Sequence, residues 1–129
     1  MNKQEWYSRI VVKLYAYPLI ESAIAHLKAQ IELITQSPDP DTDLWIEKKD
    51  RLLAKIALKQ AEKKAIGDVL ERLDQEEREL VEKWYFQGWK LKHREKKIWK
   101  ELKICRSEFY RRKTNIIHNI AVWLGEVDS

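Results

Sequence analysis

Between Arg106 and Lys113 the chain carries side chains that can hydrogen-bond to polar edges and to phosphate. Arg106, Ser107, Tyr110 and Arg111 recur at helical spacing and share an outer face, because residues three and four apart lie one above the other on a helix. Phe109 turns the other way, as the first apolar residue this helix can bury. The planar guanidinium of Arg106 can fork onto the two acceptors of guanine, while Ser107, Tyr110 and Arg111 reach bases or phosphate. Lys97, Lys100, Arg112 and Lys113 flank the face as phosphate contacts, which add salt-dependent affinity without reading sequence. The competing reading of the same residues is a solvated basic face on a core helix.

The residues before this face would position it. Leu102 closes one short helix, Ile104 is an apolar residue in a tight turn, and Cys105 sits where the next helix should be capped. That order predicts a helix-turn-helix whose second helix starts at about Arg106 and suits the major groove. The charge is concentrated here. Eleven basic and three acidic residues lie between Trp89 and Lys113, while the chain as a whole carries only +4. The rest of the chain is therefore acidic, and the segment has the footprint expected of a nucleic-acid binder.

Other chemistry has little support. His26, His93 and His118 are far apart and lack a Cys or acid at ligand spacing, so no metal is expected. Cys105 has no histidine at helical distance to activate it. No Gly-rich phosphate loop is present, and the carboxylates are interleaved with bases, as on a solvated helix face. Neither an enzyme, a cofactor nor a small-molecule substrate is expected.

Three glycines and three prolines in 129 residues, with much Lys, Glu, Leu, Ile and Ala, favour long helices and an all-α protein. A single cysteine precludes an intramolecular disulfide and fits a reducing compartment. No apolar run is read as approaching the ~18–20 residues of a membrane span, and the first residues lack a signal-peptide core. A cytoplasmic protein with no membrane partner is the expectation.

In chain order, Trp6, Ile10, Leu14, Tyr17, Ile20, Ile24, Leu27, Ile31 and Ile34 form one helical stripe from about Lys3 to Ile34. Pro18 removes a backbone donor within it and predicts a kink. A Pro-rich loop follows, with Thr42 or Asp43 as cap. A second helix is expected from about Leu44 to Leu73, packed antiparallel on the first, with Trp6 and Trp45 at the two ends of this hairpin. Leu53, Leu58 and Val69 lie off its main stripe and point to a homodimer through the hairpin. Asp74 and Glu77 form a capping box, Gly88 ends that helix, and a further helix runs from about His93 to Leu102. The expected domains are a helical hairpin for packing or oligomerisation at 1–73, the helix-turn-helix three-helix unit at 74–124, and a frayed tail at 125–129. Trp84 is placed in the core and Trp89 in a core or hinge role.

The run Leu73-Asp74-Gln75-Glu76-Glu77-Arg78-Glu79-Leu80-Val81, then Trp84-Tyr85-Phe86-Gln87-Gly88, Ile98-Trp99-Lys100-Glu101-Leu102-Lys103-Ile104-Cys105 and Phe109-Tyr110-Arg111-Arg112, resembles the C-terminal DNA-binding region of bacterial sigma factors. More closely, it resembles the phage and prophage late-gene regulators of the RinA and ArpU type. The resemblance covers about Leu73 to Leu124. It implies a regulator of transcription, an activator of phage or prophage late genes, in the cytoplasm of a bacterial host. Double-stranded DNA is the implied partner, and RNA polymerase is a further partner that the resemblance brings into view. The chain departs from the pattern at four places: the connector from Gly88 to Ile98 is longer by a few residues, and three residues differ. Trp99 replaces a small residue, Lys103 the usual turn glycine, and Cys105 the usual cap serine. The rival from another class is a non-enzymatic helical interaction or adaptor protein whose basic helices dock an acidic partner.

Overall fold

The computed structural model describes residues 3–36, 43–87 and 94–128, and every regular element among them is helical. The chain is all-α, as composition and periodicity predict. Helix α1 (Lys3–Ala16) ends in a short 3-10 turn at Tyr17–Leu19, where Pro18 breaks the ladder, and α2 (Ile20–Thr35) follows. Next come α3 (Asp43–Arg72) and α4 (Gln75–Val81), which runs on as a π-helical turn over Glu82–Gln87. The last two are α5 (Arg94–Leu102) and α6 (Arg106–Trp123). The expected roles of Thr42, Gly88 and Trp89 lie outside the described residues.

The fold divides into two compact units, but not at the expected boundary of 73 and 74. One unit comprises Met1–Pro18 with Ile66–Ser129, the other Leu19–Ala65. The reason lies in α1, which is joined by α3 only from Ile66 onward and packs chiefly on α6 and on the π turn. Its aromatic residues find aromatic partners there: Trp6 meets the His118 ring edge-on at 5.6 Å, and Tyr15 meets Tyr85 at 5.2 Å. Helix α3 has only Trp45 to offer in return. Trp6 therefore belongs to this core and not to the end of a hairpin.

The core of this unit gathers Ile10 and Leu14 from α1, Ile66 and Leu70 from α3, Leu80 and Val81 from α4, Trp84 and Tyr85 from the π turn, Ile98 from α5, and Phe109, Ile117 and Ile120 from α6. Val69, which lies off the main stripe of its helix, is buried here as well and is not left for a second copy to cover. Helix α4 begins as its sequence predicts. The Asp74 carboxylate accepts from the Glu77 backbone at 2.8 Å, and the Asp74 backbone donates to Glu77 Oε1 at 3.1 Å. Such a box satisfies two orphan donors and is worth about 1 kcal/mol.

The expected frayed tail is instead held as far as Val127, which packs on the core; Ser129 lies outside the described residues. Helix α6 closes with Gly125 at a φ of 77°, Gly125 N–H donating to Val122 O at 3.1 Å and Glu126 N–H to Ala121 O at 2.8 Å. This is the Schellman pattern, which satisfies the last carbonyls of a helix. It aims Glu126 at α1, where the carboxylate pairs with Arg9 at 3.2 Å and Lys13 at 3.0 Å.

The second unit is a pair of helices, α2 and the N-terminal part of α3. Their order is antiparallel, since Glu21 pairs with Lys63 while Ile34 lies by Trp45. Ile20, Ile24, Ile34, Leu52 and Ile56 are its buried apolar residues. The helical stretch Glu5–Thr35 is long and apolar enough to cross a bilayer by length and composition, which corrects the reading that no run approaches that length. In the fold, Trp6, Ile10, Leu14, Ile20 and Ile24 of this stretch are covered by protein.

Candidate nucleic-acid interface

Helix α5 buries Ile98 completely and turns Lys96, Lys97 and Lys100 to solvent. It ends in the same closing pattern as α6. Lys103 N–H donates to Lys100 O at 3.3 Å and Ile104 N–H to Trp99 O at 3.1 Å. Lys103 has a φ of 59°, a left-handed conformation that costs a residue with a Cβ ~1 kcal/mol or more. The position that resembles a turn glycine is thus a turn position here too. Ile104, half-buried, packs back on the core with Trp99, the apolar contact that accompanies such a cap.

Cys105 has the extended backbone of a helix cap, and its carbonyl accepts from Phe109 N–H at 2.9 Å. Its side chain makes no capping bond and lies instead 3.3 Å from Ser107 Oγ. That contact above all holds the exposed thiol below its ordinary range. Trp99, large where a small residue would fit the resemblance, lies half-buried with its ring 6.2 Å from Phe109.

The sequence-predicted base contacts fall into two sets. Arg106 and Ser107 are exposed at the N-terminus of α6. Arg106 carries its guanidinium over the Tyr110 ring, 5.7 Å from the centroid. Tyr110 and Arg111 are held by acids. The Tyr110 hydroxyl donates to Glu95 Oε1 of α5, which pushes its pKa up. Arg111 forks onto Glu108, with Nε donating to Oε2 at 3.0 Å.

The predicted phosphate contacts divide as well. Lys97 and Lys100 are exposed. Arg112 donates from Nε to Glu108 Oε1 at 2.9 Å and lies 3.6 Å from Glu76 of α4. Lys113 is half-buried, with its ammonium 4.7 Å from the Tyr110 ring, 5.1 Å from Trp84 and 5.8 Å from Phe109. Glu101 is drawn aside by Lys83 at 3.0 Å. Among the described residues, no carboxylate pairs with Lys96, Lys97, Lys100 or Lys103. The site therefore presents a strip of lysines along α5 and its turn, beside Arg106, Ser107 and the positive end of the α6 dipole. Lys96 and Lys103 were missed as members of it, although their spacing from Lys100 is helical. The Glu108 pairs were legible as i,i+3 and i,i+4 neighbours. The Glu95–Tyr110 bond joins residues fifteen apart and had no local signal.

Arg111 first, then Arg112, hold the Glu108 carboxyl down to about 2, well below its ordinary value of 4.5. A depressed carboxyl contributes stability above its unfolded pKa and loses it as pH falls through the folded value. The pair should thus persist to pH ~4.5 and dissolve only toward pH ~2. Carboxyl NMR titration should place the Glu108 midpoint near 2, and Arg111→Ala should move it upward. A wild-type midpoint in the ordinary glutamate range would show that the fork does not form.

No group of three His, Cys, Asp or Glu side chains that could hold a metal occurs among the described residues. Comparison of the chain with known protein families, with curated proteins and with solved structures finds no match.

Proposed function

We propose that this chain is a sequence-specific double-stranded-DNA-binding transcriptional regulator, an activator of phage or prophage late genes of the RinA and ArpU kind. One observation carries the reading. Lysines with no carboxylate partner among the described residues line α5 and its turn beside the exposed Arg106 and Ser107 at the start of an 18-residue helix. In a helix-turn-helix the second helix enters the major groove by its N-terminal residues while the first crosses the backbone. Here α6 would read bases with Arg106 and Ser107, and α5 would seat on phosphates with Lys96, Lys97 and Lys100. Tyr110 supports Arg106 through its ring, and Arg111 reaches DNA by exchanging Glu108 for a phosphate or base acceptor. The cytoplasm of a bacterial host is the compartment this reading implies, and RNA polymerase is a further proposed partner.

Selection from random duplexes followed by sequencing tests it, with an enriched motif as the expected result. On that motif, Lys100→Ala should weaken specific and scrambled duplexes alike and lower the salt slope by about one unit. An adaptor for acidic partners would enrich no motif and would lose equal affinity for every polyanion with each lysine removed.

A further inference from the structure

We infer that Glu95 is a specificity-determining residue of this interface, one that positions Arg106 through Tyr110 and itself touches no DNA. The inference rests on the DNA reading and deepens it.

Glu95 is an acid set among cations. It lies half-buried in the first turn of α5, ahead of the exposed Lys96, Lys97 and Lys100. The two other acids of the segment answer to cations, Glu101 to Lys83 at 3.0 Å and Glu108 to Arg112 at 2.9 Å. Among the described residues Glu95 makes no such pair, and its Oε1 accepts from the neutral Tyr110 hydroxyl instead. In a patch that only attracts a polyanion this carboxylate is a disadvantage, since it subtracts charge where the lysines add theirs. An acid in a first turn also favours the helix dipole, but that role needs no partner fifteen residues away.

What Glu95 holds accounts for its place. The Tyr110 hydroxyl is fixed from α5, so the bond joins the two helices of the motif. The Arg106 guanidinium lies 5.7 Å from the centroid of the same ring, and the Lys113 ammonium lies 4.7 Å from it. The ring cannot swing about its own side-chain torsions without breaking the bond to Glu95. Arg106 is exposed at the helix start, and a long side chain there surrenders rotamer freedom on binding. A seat clamped by a second helix removes part of that freedom in the free protein. Only a duplex with a matched base benefits, because a scrambled one offers Arg106 no fixed pair of acceptors. Glu95 therefore lowers affinity for DNA in general and raises the preference for one sequence.

Glu95→Ala and Glu95→Gln, measured on the enriched motif and on a scrambled duplex, test this. Both remove the charge, so both should bind the scrambled duplex about twofold tighter or more. Glu95→Ala also removes the acceptor for Tyr110, and the ratio of specific to scrambled affinity should fall about two- to tenfold. Glu95→Gln keeps an oxygen for the hydroxyl and should retain most of the ratio. In an Arg106→Ala background, Glu95→Ala should leave the ratio where it is. A ratio unchanged by Glu95→Ala in a parent chain that discriminates overturns the inference, as does an equal fall with glutamine. An equal fall with and without Arg106 overturns it too, because Glu95 would then act by another route. A loss on both duplexes alike would give Glu95 a structural role only and has the same consequence. A parent chain that enriches no motif is a different result, since it removes the DNA reading itself.

Discussion

Phe109→Ala should lower the unfolding free energy by about 3–5 kcal/mol, as truncation of a buried phenylalanine does when its surroundings cannot collapse. Phe109 is fully buried, with Trp84 at 5.0 Å, Trp99 at 6.2 Å and Tyr110 at 5.4 Å between ring centroids. These rings come from the π turn, α5 and α6, so removal of Phe109 opens a void where three elements meet. Two of the neighbours are indoles, too rigid to fill the space by a change of rotamer. Lys113 also rests its charge on this ring set, at 5.8 Å from Phe109 and 5.1 Å from Trp84, and loses part of that support. Urea unfolding followed by circular dichroism measures the effect. Phe109→Leu should cost less, because it leaves a smaller cavity. A loss below about 1 kcal/mol for the alanine variant would show that Phe109 is not the pin of this unit.

Arg106→Ala should cost about 1–3 kcal/mol on the preferred duplex and much less on scrambled DNA. The side chain is exposed, so the fold does not depend on it. Its guanidinium rests over the Tyr110 ring, whose hydroxyl is fixed to Glu95, so part of the entropy of ordering Arg106 is already lost before DNA arrives. Preorganisation of this kind makes a bidentate contact more favourable, because less freedom remains to be surrendered on binding. The contrast with Lys100 is the diagnostic. A base contact changes the ratio of specific to scrambled affinity, and a phosphate contact changes the salt slope. Isotherms on both duplexes at two salt concentrations separate the two. An unchanged ratio for Arg106→Ala would mean that the face, or the function, is wrongly assigned.

Much of the C-terminal unit was legible because its signals are local. Asp74 and Glu77 are three residues apart and form their box. Leu102, Ile104 and Phe109 mark a helix end, a turn and a new core residue within eight positions, and α6 begins at Arg106 as expected. The partner of α1 was not legible. The stripe from Trp6 to Ile34 keeps its phase across Pro18, and phase carries no information about which element covers it. The choice depends on aromatic complementarity with Tyr85 and His118, residues far away in sequence. The site was half legible for a related reason. Residue type and spacing placed Arg106, Ser107, Lys97 and Lys100 on an outer surface, where the structure has them. Spacing says nothing about counter-ions, and the acids Glu95 and Glu108 decide how Tyr110, Arg111 and Arg112 are held. The π turn at Glu82–Gln87 also escaped detection, since Leu80, Val81, Trp84 and Tyr85 fit an ordinary helical stripe equally well.

The left-handed backbone of Lys103 ties two properties of the molecule together. Glycine at this position would relieve the turn and make the protein more robust, but it would also delete a cation from the strip that faces outward. No single exchange here improves both durability and grip on a polyanion. Selection for heat resistance alone should therefore drift toward glycine at 103, whereas selection for occupancy of a charged target should hold the lysine and accept a less stable fold. The identity of one turn residue would then record which of the two pressures has governed the chain.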